Sequence, residues 1–367
     1  MVTTLVERDL GFRKIQQTGR ESYIVSLPKQ WVTDNGLNKG DQLAFRMQED
    51  SSILLIPRNI LENRGKSKEA PLNEFIVNLT GKENAQSVSR RIISLYEVGA
   101  ELITIRFKKG ENMSSQKIAI KKTTKMLLGT EIISELPDEI IIQILIGHPK
   151  FPIEKAIRRM LVIAQLMDRE AVSVFRNYDE EVIQNVIESD DDLDRLNLYV
   201  VRQLKYGIKN NLFREMEFNS PREFLGYRIV AKNIENLGDN AVRLAKNILF
   251  LKGTIYDQSL TLTKQINEET CSRVFEFNTL GHLLLENSLK AMFKRDYQLA
   301  DEVISRFMSS CFTLEKEAIE LILKKGMDYN VALVLRLILD NSRKMMEYSR
   351  DIAEVTLNRT VEEANKS

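Results

Sequence analysis

A multidomain α+β protein is predicted: a strand-rich head, a small α/β layer and an all-α body. Three features of the 367-residue chain carry that expectation. Up to about residue 58, short β-patterned runs alternate with turn residues. Between about 72 and 148, strand and helix patterns alternate. From Pro152 onward glycine and proline become sparse, and apolar residues recur at helical spacing almost throughout.

In the head, residues 13–17 (RKIQQ) and 22–27 (SYIVSL) read as strands, with Gly19 in the break between them. Pro28 stands where a helix begins and Gly36 where it ends, so PKQWVTDN is a short helix. QLAFRM and SILLIP complete a β-β-α-β-β order. The polar stretch ENRGKSKEAP at 62–71 is the expected linker. In the layer, EFIVNL and ELITIRF are strands. Helices follow at ENAQSVSRRIISLYEVGA, with Val88, Ile92, Leu95 and Val98 on one stripe, and at SSQKIAIKKTTKMLL. GTEIISEL and EIIIQILI form a hairpin around Pro137-Asp138. Lys117, Lys121 and Lys125 line one stripe of the second helix, which reads as a solvated face. In the body, helices are expected at about 152–177, 179–212, 221–251, 257–294, 297–325 and 329–360. Domain boundaries follow at 1–60, 72–150 and 151–362.

Composition narrows the function. Hydrophobic residues make up 43% and charged residues 29%, with a net charge of +1. Residues 1–150 hold 22 Lys and Arg against 18 Asp and Glu, a balance too even to show nucleic-acid binding on its own. Cys271 and Cys311 are far apart and fit no metal spacing, so a reducing compartment is expected. The start, MVTTLVERDL, lacks a signal-type apolar stretch, and no apolar run nears the ~20 residues that cross a bilayer. The expectation is a cytoplasmic protein without membrane insertion.

The helical half compares with itself. Asp179, Val182, Ile183 and Val186 fall opposite Asp296, Leu299, Ala300 and Val303, an offset of 117. The third helix matches the sixth at offset 108, aligning Arg228 with Arg336 and Ala245 with Ala353. Two three-helix units follow. Within the first, Asp190 and Asp194 are one turn apart in VIESDDDLDRL, and Glu235 and Asp239 are one turn apart in IENLGDN. Neighbouring antiparallel helices that turn these faces together bring four carboxylates into one place. Such a group repels itself and raises its own pKa values, and a hard cation relieves the penalty. Gly238, costing roughly 1 kcal/mol of helix propensity, leaves room for a close neighbour. The competing reading is a solvated or salt-bridged face, with Lys232 and Arg243 at pairing distance along the helix. The second unit has Phe307 and Cys311 opposite the aspartates, and Arg343 and Glu347 opposite the second pair. It is therefore expected to bind metal poorly or not at all.

The run VIESDDDLDRL followed by RIVAKNIENLGDNAVRLAKNI resembles the PhoU family of phosphate-uptake regulators, over about 152–360. RLILDNSRKMMEYSRDIAEV is similar to the divergent second repeat of archaeal members. The head, through SLPKQW and GLNKGD, resembles the AbrB/SpoVT family. That resemblance implies a swapped-hairpin β-barrel, a homodimer and DNA contact from the first strands and following loop, where Arg13, Lys14, Gln16 and Arg20 lie. Arg and Lys hold phosphates or read guanine, and Gln reads adenine. The alternative is a head that only dimerises. The PhoU resemblance implies E/DxxxD metal motifs, here Asp190, Asp194, Glu235 and Asp239. They would carry a divalent or ferric ion: Fe, Zn, Mn or Mg.

The function expected is regulation of phosphate uptake or phosphate-responsive transcription. DNA and phosphate-transport or signalling proteins are the expected partners. The alternative is a scaffold that docks a phosphate transporter ATPase or a sensor kinase without touching DNA. No enzyme is expected: the chain has two histidines, no P-loop, no nucleophile elbow and no HExxH.

Overall fold

The structure is a computed structural model. It describes residues 11–19, 21–47, 51–59, 73–108, 112–146, 151–255, 268–324 and 327–364. Arg20, the linker at 62–71 and the expected start of the fourth body helix lie outside the described residues. The chain divides into two compact units, Met1–Leu72 and Asn73–Ser367.

The first unit follows the β-β-α-β-β order. Strands β1 (Gln16–Thr18) and β2 (Ser22–Ile24) pair antiparallel around Gly19, whose φ of 67° is the left-handed turn conformation that glycine tolerates. Helix α1 (Lys29–Asp34) precedes β3 (Leu43–Met47), which pairs with β4 (Ile53–Pro57). One chain thus forms two separate hairpins. The described residues of this unit bury little: α1 contributes no buried residue, β1 and β2 are exposed, and Phe12, Tyr23, Phe45 and Met47 face solvent.

The second unit opens with the α/β layer. Strands β5 (Glu74–Leu79), β6 (Leu102–Phe107), β7 (Thr130–Glu135) and β8 (Glu139–Ile144) form one sheet in the order β5-β6-β8-β7. Strand β5 runs parallel to β6 across a helical crossover, and the other pairs are antiparallel. Helices α2 (Ala85–Glu97) and α3 (Met113–Met126) cover one face over Val77, Ile103, Ile105, Ile140 and Ile142. The expected stripe on α2 needs one correction. Val88 and Ile92 are buried, but Val98 is the exposed C-cap, and Tyr96, one turn after Ile92, fills the core. In the lysine stripe on α3, Lys121 and Lys125 are exposed as expected, Lys121 pairing with Glu135, whereas Lys117 is half-buried over the Phe107 ring and donates to the Leu136 and Pro137 carbonyls.

The body holds α4 (Ile153–Arg176), α5 (Glu180–Lys209), α6 (Glu223–Ile255), α7 (Glu268–Lys294), α8 (Tyr297–Ile322) and α9 (Tyr329–Ala364). Helices α4, α5 and α6 pack on one another, and so do α7, α8 and α9. The duplication is visible in the caps. Asp179 accepts from the Glu181 and Val182 amides at the start of α5, and Asp296, 117 residues on, accepts from the Leu299 amide at the start of α8. Helices α6 and α9 form the seam between the units. There Asn240 Nδ2 donates to the Tyr348 hydroxyl, and Asn341 Nδ2 to the Asn240 carbonyl. Asn240 and Tyr348 are themselves equivalent at offset 108, so this seam lies near the internal two-fold relation.

The α/β layer docks on α5. Buried Arg202 donates to the Tyr96 carbonyl at 2.6 Å and lies over the Tyr96 ring, and Lys205 pairs with Glu97 at 2.7 Å. The helix that carries Asp190 and Asp194 is therefore also the one that holds the layer.

Candidate metal centre

Helices α5 and α6 approach closely because α6 has a glycine where they meet. A Cβ built on Gly238 would fall 2.2 Å from Leu193 Cδ2, 3.5 Å from Asp190 Oδ1 and 3.5 Å from Met167 Cε. Leu193 occupies that space and is fully buried. The glycine thus sets how near the two acid-bearing helices can come, and it places Asp190 directly against α6.

Asp190, Asp194 and Glu235 are half-buried in this contact, and Asp239 is exposed at its edge. Asp190 Oδ1 is shielded from solvent with no hydrogen-bond partner. Burial pushes the Asp190 carboxyl up to about 6, and the charges of Asp239, Asp191 and Glu235 push the same way. Asp194 is pushed up to about 7, first by burial and then by Asp190, Glu235 and Asp239. The four candidate carboxylates therefore feel one another across the helix pair. Lys246 opposes the shift of Asp190, and Lys232 forms an ion pair with Glu235 along the helix. Lys246 was not legible as a neighbour, because it lies more than two turns from Glu235 along α6.

As a cation site, the donor chemistry fits: hard oxygen ligands, mutual repulsion and one orphaned buried oxygen. The arrangement fits less well. Among the described residues no three His, Cys, Asp or Glu side chains stand close enough to hold an ion.

The equivalent place in the second unit is chemically different. Buried Glu315, one turn beyond Cys311, accepts from Arg343 Nη1 at 2.9 Å and lies 3.6 Å from Arg336 Nη1. Arg343 Nε also donates to Glu347 at 3.2 Å. Arginines there supply the positive charge from within the fold. Cys311 is buried, and its thiol is pushed up to about 11 by that burial and by Glu315. The role of Glu315 was missed, although its i+4 spacing from Cys311 was available as a signal.

In the head, Arg13 and Lys14 precede β1 and Gln16 stands on it, all three exposed. Arg13 Nη1 donates to its neighbour's carbonyl, that of Phe12, at 2.8 Å.

Two family models match the chain. Residues 157–248, spanning all but the two ends of the three-helix unit that holds the acids, match the model described as "PhoU domain". Residues 16–61 match "Antidote-toxin recognition MazE, bacterial antitoxin". Among solved structures, PhoU from Pseudomonas aeruginosa is 16% identical, with 57% of this chain and 96% of that one covered at a TM-score of 0.46. The phosphate transport system regulatory protein PhoU from Streptococcus pneumoniae is also 16% identical, with 56% and 91% covered at a TM-score of 0.43. A comparison with curated proteins gives no match. The acid pairs fall inside the matched PhoU domain, and the arginine-filled equivalent falls outside it. Among the described residues no helix is long and apolar enough to cross a membrane.

Proposed function

We infer that this chain regulates phosphate uptake or phosphate-responsive transcription, with a paired, DNA-contacting head and a cation-holding helical body. The reading rests chiefly on one observation: within the stretch that matches the PhoU domain, an oxygen of Asp190 is buried against α6 and left unpartnered. Asp190, Asp194, Glu235 and Asp239 would hold the ion, drawn from Fe, Zn, Mn or Mg. Bound there, it would cancel the repulsion between the two acidic ridges. The helices are already seated at Gly238, so loading asks the carboxylate side chains to turn inward. The protein would act as a regulator and not as a catalyst.

The head supports pairing by what it leaves uncovered. A unit with so little buried surface is marginal alone, and a second copy would cover Tyr23, Phe45 and Met47 and close the hairpins into one barrel. Arg13, Lys14 and Gln16 would then line a DNA-facing surface in duplicate. The alternative, a scaffold for a transporter ATPase or sensor kinase, is favoured by the exposed apolar pairs Val162/Leu166 on α4 and Leu225/Ile229 on α6.

Gel-shift assays with DNA upstream of phosphate-transport genes separate the two. The regulator reading expects retention that weakens steeply with salt and is lost on Arg13→Ala/Lys14→Ala. An intact dimer that retains no such DNA at any salt concentration, while capturing a transporter ATPase or a kinase, supports the scaffold instead.

A further inference from the structure

A second site lies where α4 and α6 begin, away from the mid-helix contact at Gly238 and between the two three-helix units. A cavity of about 340 Å³ opens there, within the size range of small-ligand sites. Its walls are apolar and aromatic: Met216 and Phe218 from the α5–α6 connection, Tyr227 from α6 and Phe293 from α7. Phe218 is held in place edge-on to Phe224 at 4.8 Å and 4.6 Å from the Tyr227 ring, so the wall is preformed.

The floor is charged. Arg359 of α9 is more than nine-tenths buried. Its Nη1 donates to the Met292 carbonyl at 3.0 Å and its Nη2 to Glu223 at 2.5 Å, and its Nε has no partner. Arg295 also reaches Glu223, at 3.3 Å, so two guanidiniums meet at one buried carboxylate. Arg359 and Arg295 both line the cavity, so two guanidiniums that share one carboxylate present net positive charge to an incoming anion. The rim has the opposite sign. Glu215 and Glu217 are both exposed there, whereas Glu154 is already held by Arg158 at 2.6 Å. Glu217 and Arg295 adopt φ of 63° and 55°, left-handed backbone that non-glycine residues avoid unless their surroundings impose it.

We propose that this cavity binds a small zwitterion with an apolar body, a free α-amino acid with an aliphatic or aromatic side chain. The carboxylate sits towards Arg359 and Arg295, the ammonium towards Glu215 and Glu217, and the side chain against Phe218, Tyr227 and Phe293. Inorganic phosphate is a poor fit, because the rim acids repel a dianion and the apolar walls leave the oxygens turned away from the two arginines without donors. Helices of both units line the cavity, so an occupant would bridge α4 and α6 of the first to α7 and α9 of the second.

Titration calorimetry on the full chain tests this, with L-phenylalanine and L-leucine as probes. 3-Phenylpropionate, which lacks the ammonium, phenethylamine, which lacks the carboxylate, and inorganic phosphate serve as comparisons. The amino acids are expected to bind at least tenfold more tightly than any of the three. Glu215→Gln/Glu217→Gln alters only the exposed rim, so folding is retained. It should reduce the preference for phenylalanine over 3-phenylpropionate about tenfold. Arg359→Lys should weaken both. Absence of binding by either amino acid overturns the proposal. So does equal binding of phenethylamine or phosphate, or a rim variant whose preference is unchanged.

Discussion

The two halves of the helical body have one architecture and opposite solutions to buried charge. In the first unit, acids of α5 and α6 share one helix contact, where burial first and the neighbouring acids second raise Asp190 and Asp194. In the second unit, Arg336 and Arg343 stand beside a buried carboxylate, Glu315. Size is redistributed as well. At offsets 117 and 108, Leu193 and Gly238 correspond to Ser310 and Met346, so the bulky residue moves from one helix to the other. A repeat that carries its own cations has no use for an external one. The first repeat has only Lys232 and Lys246 beside its acids, and that contrast is what singles out the candidate site.

The steepest way to break the comparison is to move the second unit's packing into the first. Gly238→Met drives a side chain into Leu193 and is expected to cost about 2–3 kcal/mol in denaturant unfolding. Adding Leu193→Ser, which recreates the pairing of the second unit, should recover part of that loss, so the double variant is less destabilised than the sum of the singles. Strict additivity would mean that these residues do not compete for the same space.

A smaller effect is expected from the second unit. Arg343→Met leaves buried Glu315 with Arg336 alone, and should lower stability by about 1–2 kcal/mol. An unchanged melting curve would show that Arg336 suffices.

Proton linkage separates the two units next. Carboxyls whose pKa is higher in the folded state bind protons on folding, so stability should fall as pH rises from about 4 through about 7. A tenfold difference in proton affinity between the folded and unfolded chain corresponds to about 1.4 kcal/mol. Solvent screening at these half-exposed groups leaves about 1 kcal/mol for the pair. Asp190→Asn/Asp194→Asn should flatten that slope in metal-free buffer. A slope that persists in the double variant would place its origin elsewhere. Least of all, Lys232→Ala removes a half-exposed partner of Glu235 and should cost about 0.5 kcal/mol by thermal melts, with a loss above about 2 kcal/mol contradicting a merely local pair.

Element order was legible because periodicity and caps report it directly. Pro152, Asp179 and Asp296 start α4, α5 and α8 as their chemistry requires. The acid pairs were legible as faces, since i, i+4 spacing decides which side of a helix a residue occupies. How near the faces come was not, because Gly238 acts only through Leu193 on another helix. The same limit hid Tyr96 behind Val98 on α2, and Glu315 among ordinary surface acids. It also hid Asp168 of α4, which is fully buried 3.0 Å from His282 of α7 although nothing adjacent in the chain marks it. Contacts between distant segments, which decide which charges are buried, leave no local periodic trace.

The central claim is that the first unit holds a cation through its acid pairs and the second does not. Metal content of the purified full chain, measured by inductively coupled plasma mass spectrometry, tests it most directly. The unaltered protein should retain Fe, Zn, Mn or Mg, Asp190→Asn/Glu235→Gln should lose it, and Glu347→Gln should keep it. Metal retained in full by Asp190→Asn/Glu235→Gln, or lost on Glu347→Gln alone, would contradict the assignment.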